Sequence, residues 1–140
     1  MASRERYLDH LAAVPLFAGC TRKELETIAK ATTELTIEQG KEFVGQGDVG
    51  REAFVIVEGT ADVLRGGRKI ATLGPGESVG ELALLDHGPR TASVVAATPM
   101  TVLVLGPREF SAVLDSVPTL THKILAALAG RVRQLDNETY

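Results

Sequence analysis

The sequence predicts a mainly β fold with flanking α: an antiparallel β-roll, jelly-roll-like, between N-terminal and C-terminal helices. Three observations carry that reading. Apolar residues recur at helical spacing before residue 31 and again after Pro107. Between those segments the period shortens to that of strands, and turn residues interrupt it at close, even intervals. Strands this short suit a closed or rolled sheet, which also removes exposed edges.

Taken in order, Leu8, Leu11 and Ala12 share helical spacing ahead of Pro15. They imply a short amphipathic helix that stops near Val14, because the residue before a proline is driven out of helical geometry. Leu16 and Phe17 follow as core plugs. Thr21 with Glu24 three residues later is a capping box, and Leu25, Ile28 and Ala29 continue one apolar face to about Ala31. From Glu34 the period changes, with Leu35, Ile37 and Phe43 and then strands at 53–57, 61–64, 70–73, 92–96 and 100–105. Glu58-Gly59 and Gly74-Pro75-Gly76 carry turn chemistry, and Gly66-Gly67 between two strands is a hairpin signal. After Pro107, Phe110, Val113 and Leu114 make a turn or two and Pro118 punctuates. Leu120, Ile124, Leu125, Leu128, Val132 and Leu135 then form a longer amphipathic helix capped near Thr119.

The 140 residues fit one domain, 1–140, with N-terminal helices at about 4–31, the roll at about 34–105 and C-terminal helices at about 108–136. A formal charge of −3 argues against nucleic-acid binding, which needs a basic patch; Arg131 and Arg133 read as a solvated helix face. Cys20 is alone, and His10, His87 and His122 have no partners at metal-ligand spacing, so neither a disulfide framework nor a metal site is expected. With no apolar run of signal-peptide or membrane-spanning length, the expectation is a cytoplasmic chain without a membrane span. Gly40-Lys41 lacks the rest of a triphosphate-binding loop, and Gly74-Pro75-Gly76 does not open a helix as a dinucleotide fingerprint must. No nucleophile and base stand in recognisable context, so catalysis and cofactors are not expected.

The informative stretch is 80–92. Gly80 permits close approach of backbone to a ligand, the apolar residues after it can present free amides at a helix start, and Arg90 can fork onto two phosphate oxygens. Glu81 would repel a phosphate unless it faces a donor such as a sugar hydroxyl; as a first-turn carboxylate it could equally satisfy helix amides. One guanidinium and a few amides match a single negative charge, whereas a triphosphate would need more cations.

The run Gly80-Glu81-Leu82-Ala83-Leu84, a variable stretch, then Arg90-Thr91-Ala92 resembles the phosphate-binding cassette of cyclic nucleotide-binding domains. Gly40, Gly47-Asp48, the run Phe54-Val55-Ile56-Val57-Glu58-Gly59 and the helix behind Leu16-Phe17 are similar to that family's roll and N-terminal segment. The resemblance covers nearly the whole chain. It implies that Arg90 holds the cyclic phosphate, that Glu81 accepts from the ribose 2′-hydroxyl, and that the amides of Leu82 and Ala83 point at the phosphate. Val79 stands where the family commonly has an aromatic residue, which implies a smaller packing contact. Thr91 suits either a guanine amine or a strand start, and the reading leans to cAMP with cGMP as the alternative. Ala92, Ser93 and Val63 are further candidates to line the pocket. The resemblance also implies that the segment 108–135 closes over the base, with Val132, Leu135 and Tyr140 as candidate covers. The expected function is therefore a cyclic nucleotide sensor. Its signal would pass to an effector protein, a fused domain or a second copy, the chain being either a small independent sensor or a fragment. A roll without ligand that serves as an interaction or dimerisation scaffold is the alternative.

Overall fold

The structure, a computed structural model, describes residues 2–80, 84 and 88–139. Helix α1 (Ala2–Ala12) leads through a 3₁₀ turn at Pro15–Phe17 to α2 (Arg22–Ala31). The roll follows as β1 (Thr33–Ile37), β2 (Glu42–Val44), β3 (Ala53–Glu58), β4 (Ala61–Arg65), β5 (Arg68–Leu73), β6 (Ser78–Val79), β7 (Ser93–Ala96) and β8 (Met100–Leu105). Helices α3 (Pro107–Ser116) and α4 (Pro118–Thr139) close the chain. This is the helix, roll, helix order expected.

Among the described residues all strand pairs are antiparallel and form two four-stranded sheets, ordered β1-β8-β3-β6 and β2-β7-β4-β5. The edges are polar in the manner that discourages pairing with other chains, since β1 carries Glu34 and β5 carries Arg68 and Lys69. The hairpin joins β4 to β5 through Gly66 and Gly67, both at positive φ (59° and 79°), the twist-matched turn that two glycines allow.

Two apolar cores share β3 and β8. Side chains alternate faces along a strand, so Ala53, Val55 and Val57 join a core with Leu11, Leu16, Leu25, Ile28, Phe110, Leu120 and Ile124 from the helices. Phe54 and Ile56 face the other way, into the roll interior with Ile37, Val44, Val94 and Val102. That double burial is why β3 reads as an unbroken apolar run and not as an alternating one. The turn out of β3 depends on Gly59, at φ +88°, where a Cβ would overlap the Pro99 carbonyl oxygen on the neighbouring turn. Leu16 and Phe17 are buried as expected, the latter with its ring 6.5 Å from that of Phe110.

Helix α2 is closed by the full capping box: the Glu24 amide donates to Thr21 Oγ1 at 3.2 Å and the Thr21 amide donates to Glu24 Oε1 at 2.8 Å. The same carboxylate reaches across to α4, where Thr119 Oγ1 donates to its Oε2 at 2.7 Å and Lys123 Nζ donates to its Oε1. The three donors hold the Glu24 carboxyl down to about 2; the Lys123 hydrogen bond acts most, then the Thr21 amide and Thr119, against the opposing effect of burial. Beside this corner, burial pushes the Cys20 thiol above its ordinary value. Thr119 is therefore not the cap expected of it. Pro118 opens α4 with its fixed φ, and Thr119, already inside the helix, gives its hydroxyl to Glu24.

Three other boundaries differ from the sequence reading. Helix α1 ends at Ala12, two residues early, because the Ala13 and Val14 amides turn back onto Asp9, His10 and Leu11 carbonyls as the chain tightens toward Pro15. The seventh strand begins at Ser93 and not at 92 or earlier, since Arg90 and its neighbours pair with the loop at 47–49 instead. The two-residue β6 is too short to show a period and was not expected.

Candidate functional site

A cavity of about 400 Å³ is lined by residues from both sheets. Its floor is apolar, built from Val44, Val63, Leu73, Val79 and Val94, and its rim carries Gly80, Arg90, Thr91 and Ala92. Five of the eight residues singled out from the sequence, Val79, Gly80, Arg90, Thr91 and Ala92, thus lie around one space, together with Val63. Ser93 does not: its Oγ accepts from the Gln46 amide at 2.9 Å and ties two loops together. Glu81, Leu82, Ala83, His87 and Tyr140 lie outside the described residues. Within the same stretch, Leu84 is buried in the helical core with Phe110 and Ile124.

Arg90 is held by its backbone first. Its N–H donates to the Asp48 carbonyl at 2.8 Å and its own carbonyl accepts from Gly47 at 2.8 Å, a small ladder extended by the bridge between Val49 and Pro89. Pro89 can sit there because it contributes no donor. The side chain then runs through a slot between Gly50 and Gly80, and a Cβ at either position would overlap the guanidinium. Gly80 also needs its φ of +74°. Among the described residues the guanidinium makes one hydrogen bond, from Nη2 to the Glu52 carbonyl oxygen at 2.6 Å. Burial lowers its pKa and the Glu52 carboxylate opposes that, so the group stays charged while partly stripped of water. A half-buried cation in a glycine slot beside an apolar cavity is a place for one anionic group on an otherwise apolar or hydroxylated ligand.

Two members of this site escaped the sequence reading. Gly50 earns its role only through contact with Arg90, forty residues away, which no local signal carries. Arg65 is a second cation on the cavity wall, with Nε donating to the Thr91 carbonyl at 3.1 Å. Counting a single arginine against the charge of a cyclic phosphate therefore undercounted the cations. The only hint in the sequence is that Arg65 lies two residues beyond Val63, on the same face of β4.

Residues 34–117 match the family described as the cyclic nucleotide-binding domain. The chain belongs to that family. It is 36% identical over 129 residues to the cyclic AMP receptor protein of Thermus thermophilus, a match covering 89% of this chain and 60% of the receptor. The N-terminal domain of a transcriptional regulator from Streptomyces coelicolor superposes with a TM-score of 0.87 at 32% identity, covering 93% of this chain and 94% of that domain. The regulatory domain of Toxoplasma gondii PKA, co-crystallised with cAMP, gives a TM-score of 0.73 at 30% identity over 80% of this chain and 44% of that one. Three curated relatives that the chain matches are longer, and it spans between 26% and 60% of their lengths. Among the described residues no group of three or more His, Cys, Asp or Glu side chains could hold a metal ion, and no helix is long and apolar enough to cross a membrane.

Proposed function

We propose that this chain is a cyclic nucleotide-binding regulatory domain, with cAMP as its ligand, that acts by binding and not by catalysis. The observation that carries the reading is Arg90 in its glycine slot at the rim of the cavity, a single charged fork positioned for a phosphodiester. Val63, Leu73 and Val79 supply the apolar wall that a base and a ribose need. Glu81, Leu82 and Ala83 complete the proposed contacts as the family resemblance assigns them. cAMP takes precedence over cGMP because the receptor from Thermus and the kinase domain from Toxoplasma are both named with that nucleotide.

The proposed signal is movement of α4. Leu84 lies in the same core as Phe110, Leu120 and Ile124, which supports a mechanical link between the stretch that holds the phosphate and the two C-terminal helices. A ligand that favours one arrangement by about 1–3 kcal/mol would shift a coupled equilibrium roughly 5- to 150-fold. Helix α4 exposes Leu125, Val132 and Leu135 along one narrow stripe, and we assign that stripe to a second copy or to the effector. Titration calorimetry with cAMP and cGMP tests the reading: binding by the unaltered protein and its loss in Arg90→Ala are expected, and no heat with either nucleotide at millimolar concentration would overturn it.

A further inference from the structure

Arg65 stands where strand geometry calls for an apolar side chain. Along β4 the cavity face presents Ala61 and Val63, and the next position on that face is Arg65 at the tip of the hairpin. The other face of the strand carries its own pair, Asp62 with Lys69 at 3.3 Å, so a cation was not needed here for balance. Two tethers hold the tip in place. Arg65 Nε donates to the Thr91 carbonyl, and the Gly66 amide donates to Gln46 Oε1 at 2.9 Å. With Nε occupied, the two terminal nitrogens of the fork make no hydrogen bond among the described residues and stand as donors on the cavity wall.

The Arg90 chain runs on into β7, in the same sheet as β4, but the two guanidiniums lie against different sheets. Arg90 lies against Gly80 and the Glu52 carbonyl, which flank β6 and β3 of one sheet, whereas Arg65 belongs to the β4–β5 hairpin of the other. A cyclic nucleotide carries one negative charge, which Arg90 answers, and its phosphate and base lie on opposite sides of the ribose. Given the ligand class proposed above, on which this inference rests, we infer that Arg65 reads the edge of the base and favours a 6-oxopurine over a 6-aminopurine. The chemistry is one of donors and acceptors. An arginine only donates; guanine offers two adjacent acceptors, O6 and N7, while adenine pairs its N7 acceptor with an N6 amine that turns a donor toward the fork. Arg65 thereby raises the affinity for cGMP relative to cAMP, whichever of the two binds more tightly in absolute terms.

Calorimetry of the unaltered protein, Arg65→Ala and Arg65→Lys with cAMP, cGMP and cyclic inosine monophosphate tests this. The inosine nucleotide keeps O6 and N7 but lacks the 2-amine that Thr91 could meet, so it isolates Arg65. In Arg65→Ala the Kd for the two oxopurine nucleotides should rise by about tenfold while that for cAMP stays within about twofold, and Arg65→Lys, whose ammonium still donates to O6 and N7, should keep part of the preference. A parallel loss for all three nucleotides would place Arg65 on the phosphate and overturn the inference, as would no change for any of them. Arg65 is exposed, so the variants should keep the parent melting temperature. Absence of binding to all three by the unaltered protein would remove the proposed function itself, an outcome separate from an unchanged base ratio.

Discussion

Glu24 and Arg90 are both charges drawn out of water, and their surroundings are opposite in kind. Glu24 receives the Thr21 amide, the Thr119 hydroxyl and the Lys123 ammonium, and all of these come from inside the protein. Arg90 is placed with equal care, by two glycines and a backbone ladder, yet among the described residues its fork gives one hydrogen bond to one carbonyl. The first arrangement joins two helices. The second, on the proposed function, is a cation held for a group that arrives later. If Arg90 binds ligand as proposed, satisfaction of hydrogen-bonding capacity among the described residues separates the two charges more clearly than burial does.

The largest effect that would sharpen this contrast is expected at Arg90. Arg90→Ala should weaken cyclic nucleotide binding by about 100-fold or more, through loss of charge-assisted hydrogen bonds, while leaving thermal stability in the absence of ligand close to the parent value. Calorimetry and a melting curve read the two quantities. Equal losses in both would make Arg90 another Glu24. Conversely, Glu24→Ala should lower unfolding free energy by about 2 kcal/mol, because it leaves buried and half-buried donors without their acceptor. Denaturant titration measures this.

A smaller effect is expected at Gly50, whose φ is not in the left-handed region, so alanine fits the backbone there. Its Cβ would instead push the Arg90 guanidinium from its slot, and Gly50→Ala should cost about tenfold in affinity with little change in stability. Unchanged affinity would show that Arg90 does not need the slot. The smallest effect is on pH dependence. The Glu24 carboxyl lies at about 2 when folded against an ordinary 4.5, so the unfolded chain takes up the proton first. The stability this group adds is complete above about pH 4.5 and is lost as the pH falls toward about 2. Glu24→Gln should flatten the acid limb of a stability profile relative to the parent over that interval. An identical limb in both proteins would mean that another group dominates it.

What was legible in the sequence was what a few neighbouring residues determine. The Thr21 and Glu24 box, the Gly66-Gly67 hairpin and the plugs Leu16 and Phe17 are all settled within a handful of positions, and each appears as read. Residues with a second, distant obligation were read for the local half alone. Glu24 was seen as a cap but not as the partner of Lys123, and Thr119 was assigned to a helix start when its hydroxyl belongs to Glu24. The site followed the same rule. Gly80, Arg90 and Thr91 lie close in sequence and were found together, whereas Gly50 and Arg65 join them only after the two sheets close. The sequence starts β7 too early because Arg90 and its neighbours have a strand-like pattern, whereas their backbone pairs with the loop at 47–49.

The double burial of β3 has a kinetic counterpart. Its amides are covered by the helical core on one face and the roll interior on the other, and exposing them to solvent requires both cores to open together. Hydrogen–deuterium exchange should therefore be slowest at Phe54 to Val57 and at their partners in β8, at the rate of global unfolding, while the edge strands β1 and β5 exchange through local fraying. The wall between the two cores is the last part of the molecule to admit water.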